Sequence, residues 1–80
     1  MTNHSLIERA AKMIIDTQEH AYHTSMSWSD AYMGATNWYN NTDITSPYMI
    51  AACVLKFGVG YRPVSFNEIM EASKQFEKEI

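Results

Sequence analysis

Between Pro47 and Gly58 every residue except Lys56 is apolar. A helix apolar on nearly all sides suits no water-facing position and must be enclosed by protein or by lipid. Ten residues rise only about 15 Å as a helix, half of a bilayer core, so the expected enclosure is protein. The run is read as the central helix, about residues 47–57, of a small helical fold. Its ends are well marked. Ser46 suits the N-cap, and Pro47 suits the first helical position, where no donor is needed. Gly58 suits a left-handed residue past the end, with Val59 reaching back to Val54. Lys56 falls in the last turn, where the helix dipole favours a cation.

The flanking stretches are amphipathic. Ile7, Ala10, Ala11, Ile14, Gln18 and Ala21 recur at helical spacing, with Leu6 and Met13 widening the stripe. Glu8, Arg9, Lys12, Asp16 and Glu19 take the wet side. A capping box of Ser5 and Glu8 predicts a helix over about 6–23. Towards the other end, Ser65 and Glu68 make a second capping box, and Val64 and Ile69 stand at the two positions of a hydrophobic staple. Phe66, Ile69, Met70, Ser73, Phe76 and Ile80 are expected on the inner side of that last helix. Residues 58–64 read as a connector, in which Pro63 holds Arg62 extended.

Residues 24–45 are rich in Ser, Thr and Asn, which favour caps and turns over helix interiors. Ser29, or Ser27 with Asp30 three residues on, can cap a short helix over about 30–40. Tyr32, Ala35 and Tyr39 would share one face of it, and Ala31, Gly34 or Ala35, and Trp38 another. Gly34 costs such a helix about 1 kcal/mol relative to Ala. The run 40–43 (Asn-Asn-Thr-Asp) reads as a loop. The expected fold is all-α: a bundle of three to four short helices packed around the 47–57 helix, with residues 1–80 as a single helical domain.

Composition narrows the function classes. A hydrophobic content of 46% with 19% charged residues argues against disorder. Six Lys+Arg against nine Asp+Glu give a net charge of −3, which disfavours nucleic acid and an anionic membrane as partners. Cys53 is the only cysteine, so no disulfide forms within the chain, and its place in the apolar run reads as packing. Residues 1–5 lack the basic residues and long apolar run of a signal peptide, so a cytoplasmic setting is expected, or a host cytoplasm for a phage-encoded chain.

Candidate chemistry is sparse. Asp16, His20 and His23 fall at i, i+4 and i+7, a spacing that holds zinc if a fourth ligand arrives from elsewhere. A His-Glu-x-x-His or Glu-x-x-His pattern is absent, and histidines near a helix end also suit its dipole. Gly58-Val59-Gly60 is too short for a dinucleotide fingerprint and follows a helix, where that motif follows a strand. No Gly-x-Ser-x-Gly is present. No catalytic residue and no cofactor is therefore expected, and the chain is read as a non-enzyme. The 47–57 helix and the last helix after Ser65, helices 3 and 4 in chain order, also admit a helix-turn-helix reading. In it Asn67, Lys74 and Gln75 would face DNA, but Glu71 would meet phosphates with like charge.

The aromatic middle stands above background. Tyr22, Trp28, Tyr32, Trp38 and Tyr39 place half of the ten aromatic residues within eighteen positions, among Ser, Thr and Asn. Aromatic rings interleaved with small polar side chains resemble the composition of binding surfaces. The opposing reading is a core with only Leu6 and Leu55 that fills its volume with Trp and Tyr. The expected function is a small non-enzymatic protein-binding module, an inhibitor or adaptor of a larger protein, with phage-encoded anti-defence inhibitors as one such class. Its protein-binding residues would be Trp28, Tyr32, Trp38 and Tyr39. The expected partner is another protein, with a second copy of the chain as a further candidate. The alternatives are a helix-turn-helix DNA-binding regulator using helices 3 and 4, and a metal-binding helical protein.

Overall fold

The apolar run does form the central helix. The computed structural model describes residues 3–20 and 26–79. Among them are four helices, α1 (His4–His20), α2 (Trp28–Asn41), α3 (Pro47–Phe57) and α4 (Phe66–Glu79), and no strand. Ile50, Ala51, Ala52, Cys53 and Val54 are buried in succession, so the middle of α3 has no wet face. Enclosure comes from all three other helices, each of which packs against α3. The fold is thus an all-α bundle around residues 47–57, as expected.

The caps of α3 are formed by the expected residues. Ser46 Oγ accepts from the Met49 N–H at 3.4 Å, and Pro47 opens the helix. The Gly58 N–H donates to the Val54 carbonyl at 2.9 Å. Gly58 has φ 104° and ψ 176°, so it takes the positive φ expected but leaves the helix extended instead of curling back.

α1 begins two residues before the predicted start. Asn3 Oδ1 accepts from the Leu6 N–H at 3.1 Å, and the Asn3 carbonyl accepts from the Ile7 N–H. Asn caps as well as Ser does, and the earlier cap lengthens the helix, leaving Ser5 inside its first turn. Leu6, Ile7, Ala10, Ala11, Ile14 and Thr17 are buried. α1 packs on both α2 and α3, most extensively on α2. The predicted continuation over 21–23 lies outside the described residues.

α2 starts at the alternative cap, with Ser27 Oγ accepting from the Asp30 N–H at 3.1 Å. It runs on through Asn40 and Asn41, which were expected in a loop. Two side chains close its last carbonyls: Asn41 Nδ2 donates to the Asn37 carbonyl at 2.8 Å, and Thr42 Oγ1 to the Trp38 carbonyl at 2.6 Å. Gly34 lies where α2 meets α3 and the connector. A Cβ there would stand 3.1 Å from Val54 Cγ1 and 3.3 Å from the Val59 Cα.

α4 is capped by Ser65, whose Oγ accepts from the Glu68 N–H at 3.2 Å, and Val64 packs on the core with Ile69. Its inner face differs from the expected one. Ile69, Ala72 and Phe76 are buried, whereas Phe66 and Met70 are exposed. Ile69, Ala72 and Phe76 follow i, i+3, i+7 spacing, and the small Ala72 sits mid-face against α3. Phe66 and Met70 are thereby turned to one side. Ile80 lies outside the described residues.

Candidate functional site

All four aromatic candidates lie on α2, whose faces treat them differently. Trp38 is fully buried. Its Nε1 donates to the Gly58 carbonyl at 3.0 Å, and its ring packs against Phe57 at 5.6 Å and edge-on against Tyr61 at 5.0 Å. From the preceding residue, Asn37 Nδ2 donates to the Val59 carbonyl at 3.1 Å. Together they hold the connector to α2, and the Arg62 guanidinium lies 5.1 Å above the Phe57 ring. Trp38 is core, so the candidate surface loses it.

Trp28 and Tyr32 form the remaining aromatic pair. Trp28 opens α2 and is 48% exposed, with its ring centroid 6.2 Å from that of half-buried Tyr32. Tyr32 is fixed from the other side, because its hydroxyl lies 2.9 Å from Nδ1 of His4 at the start of α1. The Trp28 ring is thus braced by a Tyr32 that α1 holds in place. Tyr39 is half-buried beside the 40–45 turn. Eleven residues of helix separate it from Trp28, about 16 Å, so the two do not form one contact.

A second apolar surface was not read from the sequence as one. The 41–46 turn, the start of α3, the connector and the first turns of α4 enclose a groove of about 570 Å³. Ile44, Met49, Tyr61, Val64, Phe66 and Met70 line it. Phe66 is 70% exposed. The available signal was the spacing of Ala72 with Ile69 and Phe76, which turns Phe66 outward.

Asp16 and His20 are exposed on α1, and His23 lies outside the described residues. Among the described residues no group of three or more His, Cys, Asp or Glu is placed to hold a metal ion. Asn67, Lys74 and Gln75 are exposed on α4, but so is Glu71, and Lys56 Nζ donates to Gln75 Oε1 at 2.8 Å. Burial pushes the Cys53 thiol up to about 11, so it stays protonated at neutral pH and packs instead of reacting. No helix among the described residues is long and apolar enough to cross a membrane.

Compared with known proteins, the chain matches no family model, no curated protein and no solved structure.

Proposed function

We propose that this chain is a non-enzymatic protein-binding module, an inhibitor or adaptor, that docks through Trp28 and Tyr32 at the start of α2. The observation that carries this reading is the ordered aromatic pair. Trp28 is a large apolar ring left half in water, braced by Tyr32, which is itself held by His4. Trp and Tyr dominate binding energy where they enter a partner's pocket, and a braced ring loses little freedom on doing so. The matching partner is a protein with an apolar socket wide enough for an indole and a hydrogen-bond acceptor for its N–H.

The test compares Trp28→Ala with Trp38→Ala. Trp28→Ala should keep the thermal midpoint within a few degrees and weaken binding to the native partner by at least about tenfold, the scale of a hot-spot residue. Trp38→Ala should cost about 3–5 kcal/mol of stability through the cavity it leaves. Trp28→Ala with full partner binding would refute the assignment of this surface.

A further inference from the structure

We propose that the cleft between the end of α3 and the last turns of α4 docks an acidic segment of a partner protein, one that carries an apolar side chain among its carboxylates. Lys56, Lys74 and Lys78 line one hollow there of about 550 Å³, together with Gln75 and Glu71. They are three of the four lysines in a chain of net charge −3. Lys56 Nζ donates to the Gln75 amide oxygen, whereas Lys74 and Lys78 make no ion pair or hydrogen bond among the described residues. The helix dipole explains cations in the last turns, Lys56 and Lys78, but not Lys74. Three ammonium groups against the single lining carboxylate of Glu71 make this patch cationic on an acidic molecule.

A second hollow, of about 520 Å³, adjoins the first and shares Lys56 and Gln75 with it. Buried Ala52 and Ala72 form its floor, and half-buried Leu55 adds an apolar wall. The two alanines present only methyl groups, which leaves room for one apolar side chain from outside. The occupant must therefore bear negative charge beside an apolar group. An acidic protein segment supplies both on neighbouring residues. A nucleic-acid backbone supplies the charge without the apolar group, and duplex binding draws on more phosphate contacts than three lysines provide. The charge of the whole chain does not oppose this. At physiological salt a charge acts over about 8 Å, so an arriving carboxylate meets the lysines and not the acidic remainder.

This cleft is separate from the Trp28 pair. Gln18, which also lines it, stands fourteen residues along α1 from His4, about 21 Å. Failure of either reading leaves the other standing. The test titrates the full chain into a labelled peptide with one Leu set among Glu residues, read by fluorescence anisotropy at stepped salt. The wild type should bind with a dissociation constant below about 1 mM, and the affinity should fall as salt rises. Gln in place of the peptide's Glu residues should abolish binding, and Ala in place of its Leu should weaken it about threefold or more. Lys74→Gln combined with Lys78→Gln should weaken it at least about tenfold. The helical spectrum of that variant should not change, since both side chains are exposed. Trp28→Ala should bind the peptide as the wild type does. No binding of the Glu peptide at the lowest salt overturns the proposal, as does wild-type affinity in the double lysine variant or for the Ala peptide. Tighter binding of duplex DNA than of the peptide overturns it in favour of phosphate recognition.

Discussion

At Gly34 two opposing terms meet. Alanine there would gain about 1 kcal/mol of helix propensity. Its Cβ would also press on Val54, which is buried, and on the Val59 backbone, which Asn37 anchors. Neither neighbour yields freely, and overpacking costs about 1–3 kcal/mol, so Gly34→Ala should lose about 1 kcal/mol net. Gly58 is the converse, with nothing within 4 Å of a Cβ and φ at 104°. Gly58→Ala should cost about 1–3 kcal/mol from the backbone alone. Denaturant midpoints check both, and a stabilised Gly34→Ala would contradict the close approach. Cys53 governs the alkaline limb. An unfolded thiol ionises near about 8.5, whereas the folded one keeps its proton up to about 11. Stability should therefore be intact below the unfolded value and fall by up to about 1.4 kcal/mol per pH unit between the two. Tyr48 is raised too, by burial and then by Glu77, and acts in the same direction. Cys53→Ala should flatten that limb in urea titrations at stepped pH. Trp38 shows where the sequence stops speaking at this scale. Its burial depends on a carbonyl at Gly58 and a ring at Tyr61, some twenty residues on, and local composition carries neither.

Among the elements, punctuation was the most legible signal. Ser27, Ser46 and Ser65 all accept the N–H three residues on, because each is a short hydroxyl placed just before a periodic run. Asn3 displaced Ser5 because two competent caps stood two residues apart, and propensity does not rank them. The inner face of α4 was misread for a different reason. Phe66 and Met70 outrank Ala72 in hydrophobicity, yet the α3–α4 seam selects for a small residue at its centre. That seam has a cost that can be removed. The Tyr48 hydroxyl and the Ser73 Oγ are both buried without a hydrogen-bond partner among the described residues, and the Tyr48 ring packs on Phe76 at 4.8 Å. An unmet buried hydroxyl costs about 1–3 kcal/mol. Tyr48→Phe combined with Ser73→Ala should therefore raise stability by about 1–2 kcal/mol. Calorimetry reads the change directly, and a destabilised double variant would show that these hydroxyls are satisfied in solution.

For the whole molecule, the bundle was legible because a helix without a wet face must be surrounded, and only other helices were available to do it. The surface was less so. Helical spacing put Tyr32, Ala35 and Tyr39 on one face of α2 and Trp38 on another, but the packing of α1 and the reach of the connector decide which of the aromatic rings meet solvent. Among the described residues the large apolar side chains left exposed are Trp28 of the braced pair, Met33 on α2, and Phe66 and Met70 at the groove, and the proposed docking uses the first. A photo-reactive amino acid at exposed Ser29, next to an intact Trp28, tests it most directly. It would be introduced into the full chain, irradiated in native lysate and compared with the same probe at exposed Lys12 on α1. A discrete adduct to one protein from position 29, and none from position 12, is the predicted result. No adduct at position 29, or the same products from both positions, would contradict it.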